Sequence, residues 1–326
     1  MTDYVLGVDV AKNSLSFCLI DSANRQVVLE ANTQNNEREV ERLLSSLPVT
    51  NTRSVCVAVE PTNTYWYTVA ETARLAGCKV VSAPPKATKL FLRSVSPRVK
   101  NDRLDAKGIA LYAASMDLKA YQPKPQELRA LDELLSLRRK LSETIAYYSQ
   151  MANAGSSAAD IAANMLESSK TQLAELDRRI RDALKTLEPA KKLIEVPGFG
   201  PVVTAALVSK LLSIPFKTSD AFVAYVGLDL KVTESGQSRG RRRLSHNGDA
   251  ELRRLLYLAA QATLCAKNSP FAQIYQRHIA DDRNLTSTQA ICVTARKMAR
   301  TAWSIVKFGS SYDPNRVFQS PLDRKA

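Results

Sequence analysis

The chain has 326 residues, and 46 lysines and arginines against 32 aspartates and glutamates leave a net charge of +14. With 45% hydrophobic and 24% charged residues it reads as a globular protein of two or three domains. That excludes wholesale disorder, and no uncharged run reaches the ~18 residues of a membrane helix.

Five scattered cysteines without zinc spacing fit a reducing compartment. Two histidines all but exclude a histidine metal centre or a Ser-His-Asp hydrolase. An acid at position 3 ahead of a strand-like run argues against a signal peptide. The pI of about 9.6 calls for a polyanionic partner, nucleic acid before membrane surface.

Residues 4–10 (YVLGVDV), 14–20 (SLSFCLI) and 26–31 (QVVLEA) are short apolar runs with brief connections, the pattern of an antiparallel meander. Residues 36–47 switch to helical spacing, with Val40, Leu43, Leu44 and Leu47 on one face. A buried-type strand follows at 54–60 (SVCVAVE), then a helix over 64–76 that Gly77 ends, and a strand at 79–83. Pro84-Pro85 opens a further segment, and 102–114 is helical. The order β-β-β-α-β-α-β-α predicts a mixed sheet with helices packed on it across residues 1–115.

Long helical patterns cover 128–148 and 161–187, broken near residues 153–157. Leu173, Leu176, Ile180, Leu184 and Leu187 recur at coiled-coil spacing, so residues 116–190 read as a helical hairpin arm, with two ordinary bundle helices as the alternative. The third region, 191–326, is mostly helical. It carries Pro197-Gly-Phe-Gly200 between helical stretches, a short helix at 220–226, a basic stretch at 231–248, helices at 250–266, 271–280 and 287–308, and a loose tail.

Asp9 and Glu60 each close an apolar strand, where an unpaired carboxylate is costly to bury. Asp102 and Asp105 stand three apart on one helix face. Taken singly, these are a turn acid, a solvated strand end and acids in a helix's first turn. Taken together, the topology sets the first and fourth strands side by side with the last helix across them, so four acids converge at one sheet edge. Such a group needs cations, and hard oxygen ligands suit Mg²⁺. Two ions ~4 Å apart can clamp a phosphodiester. This is the layout of a ribonuclease-H-like nuclease or transferase. Seven basic residues from Lys86 to Lys107, among them Lys89, Arg98, Lys100 and Arg103, surround the acids and suit phosphate contacts or a solvated helix face.

In 231–254 (KVTESGQSRGRRRLSHNGDAELRR), arginines 239, 241, 242 and 243 match phosphate geometry, and Ser235 precedes a glycine that could open a turn. Read alone, Ser235 is more simply a turn serine. Gly198 and Gly200 resemble the turn of a helix-hairpin-helix, whose backbone N–H groups meet DNA phosphates; a plain tight turn is the alternative. Tyr65 and Trp66 stack on a base or pack in the core.

These segments resemble, in order and over nearly the whole chain, the DEDD transposases of the insertion-sequence one-ten group with the related Piv DNA invertases. GVDVAK (7–12) looks like the first-acid motif, VEPTNTYW (59–66) the glutamate motif and RVKNDRLDAKGIALYA (98–113) the paired-aspartate motif. VPGFGPVVTAALV (196–208) and residues 224–260 look like the C-terminal transposase domain. Pro61 and Asn63 depart from the Ala and Gly usual after the glutamate. The resemblance implies a RuvC-like domain with metal ligands Asp9, Glu60, Asp102 and Asp105, and a nucleophilic Ser235 with Ser238 and Ser245 as rivals. It further implies an enzyme that recombines double-stranded donor and target DNA, guided by a structured non-coding RNA, through a covalent phosphoserine. A homodimer or homotetramer acting in the bacterial cytoplasm at the nucleoid is expected, with no membrane partner. The competing readings are a metal-only junction nuclease, a non-enzymatic nucleic-acid-binding protein and an actin-like sugar kinase; the last lacks later glycine-rich phosphate loops.

Overall fold

The meander forms as expected from β1 (Tyr4–Val10), β2 (Ser14–Asp21) and β3 (Val27–Gln34), with both pairings antiparallel. β4 (Val55–Val59) then lies parallel to β1, and β5 (Lys79–Ser82) parallel to β4. The resulting order, β3-β2-β1-β4-β5, is the ribonuclease-H-like sheet read from the sequence. In a computed structural model, residues 2–61, 64–95, 102–155, 157–231, 234–235, 238–239, 243–265, 269–280 and 285–318 are described, with the backbone alone at 95, 102–104, 231, 234–235, 238–239 and 243. Contacts divide the chain into two units, Met1–Pro123 and Lys124–Ala326.

Period-two alternation decides what each sheet face covers. Leu6 and Val8 of β1 pack with α1 (Glu37–Ser46) and α2 (Trp66–Leu75), whereas Val5 packs with Ala106, Ile109 and Ala110 of α4 (Asp102–Ser115). α3 (Pro85–Val95), which the sequence left as an unassigned segment, joins α4's side through Ala87 and Phe91. α1 begins where Asn36 accepts a hydrogen bond from the Glu39 N–H at 3.0 Å, a side-chain N-cap followed by first-turn acids.

Gly7 sets how closely α4 approaches the sheet. A Cβ there would stand 2.1 Å from the Ala106 carbonyl oxygen and 2.5 Å from the Ala110 nitrogen, both backbone atoms. Gly7→Ala must therefore lift α4 from the sheet, and overpacking of this kind costs about 3 kcal/mol. The expected result is a lower urea midpoint at unchanged slope; a variant as stable as the parent would show that α4 is not seated on β1.

In the second unit, α5 (Gln126–Ala152) and α6 (Ala159–Lys185) run along one another. The apolar seam is real, since Leu176, Ile180 and Leu184 are buried, and Arg138 Nε donates to Asp177 across it at 2.5 Å. At its base Leu128, Leu131, Ile180 and Leu184 share one core with the C-terminal helices. Those are α7 (Glu188–Leu193), α8 (Pro201–Ser213), α9 (Ser219–Val226), α10 (Ala250–Thr263), α11 (Pro270–Ala280) and α12 (Ser287–Phe308). The six-residue α7, started by Pro189, is too short for periodicity to reveal. The basic stretch, to which the sequence assigned no element, contains two small antiparallel ladders. β6 (Leu230–Lys231) pairs with β9 (Arg243–Leu244), and β7 (Glu234–Ser235) with β8 (Ser238–Arg239). No described helix is long and apolar enough to cross a membrane.

Candidate active site

Asp9 is the penultimate residue of β1, and its alternation with Val5 and Gly7 puts it on the face that α4 covers. Val8 is in register with Val59, so Glu60, one residue past β4, lies beside Asp9 at the same sheet end. On α4, Asp102 and Asp105 precede the sheet-packed Ala106 and Ile109 by one helical turn each. Strand ends thus bring Asp9 and Glu60 to one sheet edge, with Asp105 near enough to act on Glu60, while Asp102 is placed by its backbone alone at the start of the same helix.

Electrostatics registers that convergence. Burial and the neighbouring Asp9 charge push the Glu60 carboxyl above the usual carboxylate range; Lys89 on α3 pulls it down, and Asp105 adds a further upward push. Asp105 is exposed, while Asp9 and Glu60 are half-buried. The sequence placed Lys89 only within a basic run; its role as Glu60's counter-charge emerges from α3 packing beside α4.

Three mutually repelling carboxylates with hard oxygen donors are the donor set a divalent cation satisfies, and a cation between them would remove the repulsion on Glu60. The residues therefore fit a divalent metal in chemistry. Among the described residues no group of three or more His, Cys, Asp or Glu side chains is gathered tightly enough to hold one, and Asp102 is described by its backbone alone.

Ser235 falls on β7 opposite Ser238, in the ladder next to the Gly236-Gln237 connection, which lies outside the described residues. Its rival Ser245 is otherwise engaged, donating its hydroxyl to Asp229 and accepting from the Asn247 N–H at 3.3 Å. Of the expected nucleic-acid contacts, Arg98, Lys100, Arg241 and Arg242 lie outside the described residues, and Arg103, Arg239 and Arg243 are placed by backbone only. Trp66 is 8% exposed and stacks on Tyr67 at 4.3 Å, so it packs; Tyr65 remains 39% exposed.

The two glycines between α7 and α8 have different parts. Gly198 has φ +87°, and a Cβ there would stand 2.5 Å from the Ala259 carbonyl oxygen of α10. Gly200 caps α8 at φ −77° with open space around it. Gly198→Ala should then cost about 2 kcal/mol or more, combining backbone strain with overpacking. Gly200→Ala should leave the thermal midpoint within a degree or two. Equal destabilisation by both would contradict this division.

A cleft of about 890 Å³ also opens among α5, α8 and α10. Its cations are already matched: Arg138 with Asp177, Arg139 with Glu143, Lys210 with Asp249 and Arg254 with Glu251. It therefore has little unmatched positive charge to offer a polyanion.

Two family models match the chain. One, described as a DEDD transposase, covers residues 6–153, and the other, described as a transposase of the IS116/IS110/IS902 family, covers residues 190–276. The pilin gene-inverting protein of Moraxella bovis is 24% identical over 320 residues, 96% of this chain and 98% of that protein. A transposase for insertion sequence element IS1328 from Yersinia enterocolitica is 26% identical over 142 residues, 43% of this chain and 42% of that protein. Among solved structures, a Thermus thermophilus RuvC is 16% identical and aligns with 36% of this chain and 99% of its own, at a TM-score of 0.29.

Proposed function

This chain belongs to the IS116/IS110/IS902 family of transposases, and from that premise we propose that it cuts and rejoins DNA strands through a covalent phosphoserine link. The observation that carries this reading is the convergence of Asp9, Glu60 and Asp105 at one sheet end, close enough for two of them to raise the carboxyl of the third. The near full-length similarity to a pilin gene-inverting protein supports strand exchange rather than hydrolysis as the whole activity.

On this reading Asp9, Glu60, Asp102 and Asp105 would hold Mg²⁺, which would supply Lewis-acid activation of an oxygen nucleophile and neutralise charge growing on phosphorus. Ser235 Oγ attacks the scissile phosphorus; the new O–P bond forms as the bond to the 3′-oxygen breaks. The serine proton passes to solvent, and the 3′-oxygen leaves as a free hydroxyl after protonation. One phosphodiester replaces another, so the bond energy is kept for religation. Arginines 239, 241, 242 and 243 grip the phosphates on either side. Arg98, Lys100 and Arg103 do so beside the acids, and the Gly198–Gly200 turn offers backbone N–H groups.

The acids belong to one unit and the serine to the other, so chemistry requires that the two meet. We assign that meeting to a homodimer or homotetramer in which one protomer's serine serves another's acids. A structured non-coding RNA, paired to donor and target double-stranded DNA, supplies sequence choice. Labelled DNA incubated with the protein, Mg²⁺ and the co-purifying RNA should yield a protein-linked 5′ end and a free 3′-hydroxyl on a denaturing gel. Free 5′-phosphate ends without adduct would instead establish a metal-only junction nuclease.

A further inference from the structure

Asn35 joins β3 to α1, and its side chain spans two carbonyls from different parts of the fold. Nδ2 donates at 3.0 Å to the Ala11 carbonyl and at 3.2 Å to the Tyr65 carbonyl. Its backbone N–H donates at 3.1 Å to the Asn13 carbonyl. Ala11 lies two residues beyond Asp9, and Tyr65 lies five beyond Glu60, at the start of α2. One planar amide therefore ties the turn after β1 to the segment after β4.

The tie stands where the ladder stops. The last registered pair between β1 and β4 is Val8 with Val59, so the ladder ends at Asp9 and Glu60 and sets no spacing for the segments beyond them. Asn suits the place because one short side chain carries two N–H donors on a single atom. Aspartate would set a charge against two carbonyl oxygens, and serine keeps one donor only. Among the described residues Asn35 Oδ1 is buried without a partner, an uncommon condition for a buried acceptor.

We propose that Asn35 is a positioning residue that fixes the spacing of Asp9 and Glu60 for a divalent cation. The inference rests on the reading of those acids as a cation cradle. It assigns Asn35 no contact with substrate; it acts through the carbonyls of Ala11 and Tyr65.

The test uses the full chain and Mg²⁺ alone, with binding followed by thermal shift and by competition against terbium luminescence. Asn35→Ala should weaken Mg²⁺ about tenfold, in the range seen when groups supporting metal ligands are removed. Asn35→Ser should fall between it and the parent. Asn51→Ala, which removes a cap from the 3-10 turn before β4, should leave Mg²⁺ binding unchanged. Parent-like Mg²⁺ binding by Asn35→Ala overturns the proposal, as does loss of folding by both Asn35 variants while Asn51→Ala folds. If the parent binds no Mg²⁺, or Asp9→Asn binds it as the parent does, the cradle reading itself fails.

Discussion

Ser235→Ala should eliminate the covalent protein–DNA adduct, lowering strand cleavage by three orders of magnitude or more while DNA and RNA binding stay within about twofold. The expectation follows from chemistry: alanine removes the only oxygen the proposed attack uses, but leaves the arginines that grip phosphate. Position favours Ser235 and Ser238 over Ser245, because Ser245 is committed to Asp229 at the base of the ribbon. Ser238→Ala, facing Ser235 across the β7–β8 ladder, should retain the adduct. Ser245→Ala should cost about 1 kcal/mol of stability for one lost hydrogen bond, with the adduct intact. Mass spectrometry of the trapped species checks all three. An adduct mapped to Ser238 or Ser245 in the parent would move the nucleophile, and one persisting in all three variants would remove serine from the mechanism.

Glu60→Gln should lower Mg²⁺-dependent cleavage by a similar factor and yet stabilise the metal-free protein. Burial and the charges of Asp9 and Asp105 raise the Glu60 carboxyl in the folded state. A raised carboxyl holds its proton better folded than unfolded, so stability is greatest at low pH and falls as pH climbs through the window above the usual carboxylate range. Glutamine carries no charge to repel, so the variant should lose that decline. Thermal midpoints measured from pH 4 to pH 8 in EDTA should then converge at the acid end and separate at neutrality, with the variant higher. Adding Mg²⁺ should lift the parent and leave the variant nearly unmoved. A variant less stable than the parent at pH 7 without metal would mean that Glu60 is held by partners it needs ionised rather than strained by its neighbours.

The order of elements in the first unit was written in local pattern. Alternation in YVLGVDV and SLSFCLI, the glycine stop at Gly77 and the acid-ended strands suffice to predict a mixed sheet with Asp9 and Glu60 at one edge. The apolar stripe of α6 was legible too, from leucines at steps of three and four, though that spacing reads alike for a coiled-coil arm and for two bundle helices. Other features stayed hidden for identifiable reasons. α7 has fewer than two turns, and the four ribbon strands have two residues each, so neither builds a period. Gly7 in β1 reads as an ordinary weak strand residue, and nothing local reveals that a helix backbone presses on it. Asn35 sits in a polar run, NTQNNER, where any asparagine looks like a turn former.

The amino-acid sequence by itself determined which residues are acids at strand ends, which face of each helix is apolar, and which stretch concentrates arginine. These depend on neighbours within a few positions. Only the tertiary structure decided that Gly198 serves packing against α10 while Gly200 faces open space, that Ser245 is bound to Asp229, and that one asparagine links the two acid-bearing strand ends. Those assignments rest on contacts between residues 16 to 61 positions apart, for the serine and Gly198 respectively, and 24 and 30 for Asn35. Hydrogen bonds and close packing act over a few ångströms of space, so distance along the chain gives no sign of them until the backbone has folded.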